Sequence, residues 1–118
     1  MLRSVPQPVY QAVFYAALLT VFILSLLPVG HPDFSPNDKV NHLFAYLVLM
    51  VLGFLAHRKP GITALKVVLF GVLIELLQGL TGYRLFSLLD IVANSCGVLA
   101  GYLLVRFTPI KKYNNTGI

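Results

Sequence analysis

The sequence predicts an all-α integral membrane protein, a bundle of four transmembrane helices. Composition is the first reason: 58% of the 118 residues are hydrophobic and 11% charged, whereas a soluble domain carries about a quarter charged residues. Size is the second. A single domain this short cannot bury so many apolar side chains against itself, so lipid is the solvent that suits them. Distribution is the third. Charges and prolines fall at the borders of four long apolar runs, each near the roughly 20 residues that a helix needs to cross a bilayer.

The first helix is expected over residues 8–27, within a stretch from Ser4 to Gly30 that carries no charge. Arg3 gives it a weak basic start. The run is long and no small-x-small cleavage site follows, so it reads as a retained helix rather than a signal peptide. The second, 38–56, ends at His57-Arg58-Lys59-Pro60-Gly61. The third, 62–80, has Lys66 near its start and Glu75 inside. The fourth, 88–107, has Asp90 near its start. Pro6, Pro8, Pro28, Pro32, Pro36, Pro60 and Pro109 all avoid the helix interiors, where a proline would break a hydrogen bond and clash with the preceding turn. A membrane barrel would need alternating ten-residue segments instead.

Several function classes drop out at this level. The single cysteine, Cys96, allows no intramolecular disulfide and no cysteine metal cluster, and it reads as inert packing. The net charge of +5 comes with no basic run interleaved with aromatics, so nucleic acid is not an expected partner. Neither a Gly-x-Ser-x-Gly nor a phosphate loop is present.

Charge sets the expected orientation. With the N-terminus inside, seven basic residues (Arg3, Arg58, Lys59, Lys66, Arg106, Lys111 and Lys112) lie at the cytoplasmic end, against Lys39 and Arg84 outside. This is a positive-inside bias, with both termini cytoplasmic. The four acids, Asp33, Asp38, Glu75 and Asp90, do the reverse and gather at the outer end.

Helical spacing then groups the polar residues. Gly71, Glu75, Gln78 and Gly82 stand at offsets 0, 4, 7 and 11, and so do Asp90, Asn94, Gly97 and Gly101. At 100° per residue each set spans roughly 60° of arc. In the second helix Asp38, His42 and Leu49 share a stripe, with Tyr46 and Gly53 at its edge. Gly97 and Gly101 form a small-xxx-small surface for close helix approach. The first helix offers Thr20 and Ser25 and is expected to brace the others.

The segments DKVNHLFAYLVL (38–49) and IELLQGLTGYRLFSLLDIVANSCG (74–97), followed by Gly101, carry a spaced pattern of unlike residues. It reads Asp38, Lys39, His42 and Tyr46, then Glu75 and Gln78, then Arg84, then Asp90, Asn94, Gly97 and Gly101. This pattern resembles the VanZ-like family, over most of the chain after residue 37. The resemblance implies a small bacterial inner-membrane protein. The family's name comes from resistance to the glycopeptide teicoplanin, which acts on cell-wall precursor at the outer face, and no reaction comes with the resemblance.

Each candidate also has a plainer explanation. Ser35-Pro36-Asn37-Asp38 and Ser87-Leu88-Leu89-Asp90 both have the spacing of a capping box, which places a carboxylate at the positive end of a helix. Glu75 is no cap; a tie to Arg84 or His42 is its structural alternative, and about 3 kcal/mol is the mid-membrane cost of a charged group on insertion scales. His42 is either an interhelical donor or a proton shuttle or phosphate ligand. Lys39 and Arg84 either bind phosphate or balance the acids. Tyr83 and Phe86 read as interfacial aromatics. His57, Arg58 and Lys59 read as topology signals. A metal site from His42, Glu75 and Asp90 has no supporting paired-histidine spacing, and no cofactor is expected.

The expected ligand-binding set is therefore Asp38, Lys39, His42, Tyr46, Glu75, Gln78, Arg84, Asp90 and Asn94, lining an outward-facing pocket. Its expected partner is membrane lipid: a polyprenyl-linked envelope precursor or a lipid head group. One alternative is an intramembrane enzyme with His42, Glu75 or Asp90 as catalytic groups. Another is a small dimeric proton-coupled transporter or channel, and a homo-oligomer is among the expected partners.

Overall fold

The computed structural model describes residues 5–26, 36–82 and 87–107, with side chains of the second segment from residue 39 onward. These residues form four helices: α1 (Gln7–Leu26), α2 (Pro36–His57), α3 (Pro60–Leu80) and α4 (Leu88–Arg106). Each holds a window long and apolar enough to cross a membrane. Helices are the form such segments take in lipid, because every backbone N–H and C=O must be satisfied without water. The chain is thus a multi-pass membrane protein. Helix limits differ from those expected by two residues at most.

Local chemistry sets these limits. Pro36 and Pro60 open α2 and α3, where a missing N–H costs nothing because first-turn donors lack helical partners. At the end of α2, Arg58 adopts a left-handed φ of 62°, and its N–H donates to the Phe54 carbonyl at 2.6 Å. This is the single-bond left-handed closure of a helix, made here by arginine where glycine is usual. Gly82, expected to extend the polar stripe of α3, instead lies beyond the helix in a turn with φ 83°, a backbone state that suits glycine.

Side-chain contacts fix the topology. The start of α1 meets the end of α2 through Gln7, Gln11 and Ala56. The end of α1 meets the end of α3 through Ser25 and Gln78, and the starts of α2 and α4 meet through Lys39 and Asp90. Successive helices therefore alternate in direction, which makes α2 and α4 parallel. Gly97 and Gly101 bring these two together: a Cβ on Gly97 would lie 2.2 Å from the Leu43 carbonyl oxygen, and one on Gly101 2.8 Å from Met50 Cβ. Small residues of this kind drive helix association where lipid removes the hydrophobic incentive.

The core runs through Phe14, Tyr46, Leu49, Met50, Phe54, Val67, Val98 and Val105. Leu19, Leu24, Leu69, Leu73, Leu99 and Leu103 are exposed, the arrangement expected of a bundle whose surface faces acyl chains. Cys96 is exposed on that surface; its offset of two from Asn94 turns it away from the buried stripe.

Gly97→Ala is expected to destabilise the bundle by about 1–3 kcal/mol, the range for overpacking a tight contact. The Cβ has no side-chain end to push aside, only backbone. Unfolding in mixed detergent micelles measures the loss; an unchanged midpoint would mean that α2 and α4 do not meet at Gly97.

Candidate functional site

The polar stripes of α2, α3 and α4 converge at the end of the bundle that carries the α1–α2 and α3–α4 connections. Parallel α2 and α4, nearly in register, supply one half. Lys39 Nζ donates to Asp90 Oδ1 in an ion pair. One turn further in, His42 Nδ1 lies 3.0 Å from Asn94 Oδ1, and its Nε2 lies 3.9 Å from Asp90 Oδ2. His42 thus bridges the two positions on α4 that sequence spacing placed on one face. Asp90 and Asn94 are both buried, while the Lys39 and His42 side chains keep 23% and 16% of their surface exposed. The carboxylate is buried and the ammonium and imidazole groups are partly exposed.

Antiparallel α3 supplies the other half. Glu75 is 1% exposed, and its Oε2 accepts the backbone N–H of Ser87 at 2.8 Å. Ser87 is the N-cap of α4, and its Oγ accepts the Asp90 N–H at 3.2 Å. In a capping box the acid three residues on would bond the N-cap N–H. Here Glu75, from a different helix, takes that donor, and Asp90 turns to Lys39. The expected box at Ser87 is half formed, with a borrowed carboxylate. Gln78 donates to the Ser25 carbonyl at 2.7 Å, closing α1 against the same end. Gly71 leaves room for Tyr46, which is buried; a Cβ there would lie 2.9 Å from the ring and 3.2 Å from Asn94 Nδ2.

Of the sequence-derived set, Lys39, His42, Tyr46, Glu75, Gln78, Asp90 and Asn94 thus cluster. Asp38 lies in the first turn of α2 with its side chain outside the described residues, and Arg84, Tyr83 and Phe86 lie outside them too. Among the described residues no three His, Cys, Asp or Glu side chains stand close enough to hold a metal ion. The cluster sets a partly exposed lysine and imidazole against the buried acceptors Asp90 and Asn94.

A model of the VanZ/LLP1 family matches residues 33–109. The chain belongs to the VanZ/LLP1 family. It is also similar to the "Uncharacterized protein C11E3.10" of the fission yeast Schizosaccharomyces pombe, at 33% identity over 99 residues. That match covers 74% of this chain and 61% of the yeast protein, so the chain spans about three fifths of its relative's length. No solved structure matches the chain. The VanZ/LLP1 match takes in α2, α3 and α4, hence the whole cluster, and leaves out α1.

Sequence reasoning missed what α1 contributes to this VanZ/LLP1 bundle. Thr20 donates to its own helix at Ala16, and Ser25 uses its carbonyl. The side chains that tie α1 to α2 are Gln7 and Gln11, both donating to the Ala56 carbonyl, and Tyr15, whose hydroxyl lies 2.9 Å from His57 Nε2. Their spacing of four was a legible helical signal. His57, expected only to mark topology, is held by that hydroxyl and by the edge of the Phe14 ring.

Lys39→Met leaves the buried Asp90 carboxylate without its ammonium, with the His42 imidazole 3.9 Å away, and is expected to cost about 1–3 kcal/mol. Asp90→Asn should cost less, because Lys39 can turn its ammonium to water along its flexible stem. Unfolding of the two single variants and the double variant in micelles tests this asymmetry. Equal losses that simply add would show that the pair is uncoupled.

Proposed function

We propose that the polar cluster binds a phosphate-bearing lipid head group, free or polyprenyl-linked, at the outer face of a bacterial inner membrane. The observation that carries this reading is the split in exposure. Lys39 and His42 are partly open at the rim, while Asp90, Asn94, Glu75 and Gln78 are buried behind them. An anion arriving from the membrane surface meets a cation and an imidazole already oriented by buried acceptors, which lowers the ordering cost of binding. The orientation with both termini cytoplasmic rests on the positive-inside count. Resistance to teicoplanin would follow where the bound precursor is altered or masked. The relative in a fission yeast favours a common head group over a wall-specific one, since fungi build no peptidoglycan.

A second reading is catalysis on such a lipid. The favouring observation is His42, whose Nδ1 is bonded to Asn94 while Nε2 lies 3.9 Å from Asp90; an imidazole fixed at one nitrogen is oriented for general acid–base work. Transport is weaker, because this buried polar cluster stays at one end of the bundle whereas a pathway needs polar lining to both faces.

Purified protein titrated with undecaprenyl phosphate in nanodiscs, read by native mass spectrometry, separates these. Lys39→Ala is expected to weaken binding roughly fivefold, one cation's worth at a membrane surface. Glu75→Gln should weaken it only slightly, but should abolish turnover if the protein is an enzyme. A modified lipid in the products would decide for catalysis. Unaltered binding in the alanine variants of His42, Glu75 and Asp90 would sink the head-group reading.

A further inference from the structure

The opposite end of the bundle holds a second feature. Between the start of α1 and the α2–α3 turn lies a cavity of about 370 Å³, lined by Gln7, Gln11, His57, Lys59, Thr63 and Lys66 among others. Beside it lies a crevice of about 150 Å³ that runs up between α1 and α3, past Phe14, Leu18, Val67 and Phe70. The two share His57, Thr63 and Lys66 in their walls, so a chamber with mixed polar and apolar lining adjoins an apolar one.

Charge in this place has one sign. Lys59 and Lys66 are exposed, and neither of the described acids, Glu75 and Asp90, lines either chamber. The first turn of α3 contributes Ile62 and Thr63 to the wall. Its N-cap residue, Lys59, makes no side-chain cap, so the positive end of that helix adds to the lysines. Arg58, between two lining residues, has a buried Nε with no hydrogen-bond partner among the described residues. On the other wall, the Tyr15 hydroxyl and the Phe14 ring hold the His57 imidazole where the two chambers join.

We infer that the two chambers form one site for an anionic phospholipid, with its phosphate at Lys59 and Lys66 and an acyl chain in the crevice between Phe14 and Phe70. The polar chamber alone would suit any phosphate. An apolar crevice sharing three of its wall residues, on a bundle of membrane-spanning helices, selects an amphiphile. The site lies at the end of the bundle away from Lys39 and His42 and stands independently of their function. It also gives α1 a task beyond bracing, since the lipid fills the seam that α1 makes with α3.

The test uses the whole protein in mixed micelles with phosphatidylglycerol or phosphatidylcholine of identical chains, counted by native mass spectrometry. A one-to-one phosphatidylglycerol adduct is expected. Lys66→Ala should weaken it roughly fivefold and the Lys59→Ala/Lys66→Ala pair roughly 30-fold, at the energy of one surface cation each. Arg106→Ala, exposed at the same end but outside both chambers, should leave it unchanged, and Lys66→Arg should retain it. Equal retention of phosphatidylcholine would overturn the proposal, and so would an Arg106→Ala loss as large as that of Lys66→Ala. Displacement by equimolar glycerol 1-phosphate would reassign the chamber to soluble phosphates.

Discussion

The close parallel approach of α2 and α4 at Gly97 is the contact on which the rest of the bundle depends. Lipid gives two apolar helices little reason to associate, so packing and polar pairing must do it. With hydrogen in place of a side chain, Gly97 lets the Leu43 backbone reach the α4 surface, and Gly101 repeats this one turn on against Leu47 and Met50. That approach sets the register. Lys39 then faces Asp90, and His42 faces Asn94. A wider spacing would pull those polar groups apart in a medium that offers no substitute partner. Parallel neighbours cannot be joined by a tight turn, so the chain returns through α3, packed beside the pair, and its own polar stripe is thereby delivered to the same end.

Glu75 shows how the helices share their hydrogen-bonding debts. The N-cap N–H of α4 is one of the donors that a helix cannot satisfy internally. Asp90 is spaced to take it and does not; Glu75 from α3 takes it instead. Asp90 keeps its own N–H on Ser87 Oγ and offers its carboxylate to Lys39. Three helices are joined in one exchange, and each buried carboxylate has a donor. The membrane thus explains both why such acids are rare in this chain and why those present are paired.

The two ends of the bundle differ in how they treat charge. At the α1–α2 end cations and acids meet, and the acids are buried under a cationic rim. At the α2–α3 end Lys59 and Lys66 line a cavity that no described acid lines, and α1 is fastened there by neutral groups, Gln7, Gln11 and Tyr15. Among the described residues, one end pairs its charges internally and the other carries lysines with no acid beside them in the cavity wall.

By itself the sequence determined the four helices, their limits, and the faces that Glu75, Gln78, Asp90, Asn94, Gly97 and Gly101 share. Those properties follow from local rules: apolar length against bilayer thickness, proline placement, and 3.6-residue periodicity. It likewise held the VanZ-like pattern that marks α2 to α4. Partnership was decided only by the tertiary structure. Lys39 pairs with Asp90, and Glu75 accepts the backbone N–H of Ser87; Arg84, one of the candidates for Glu75, lies outside the described residues. Those choices depend on the direction and spacing of helices far apart in the chain, which no local period encodes. The cavity beside His57 was hidden for the same reason, since its walls come from α1, α2 and α3 together and exist only once those helices pack.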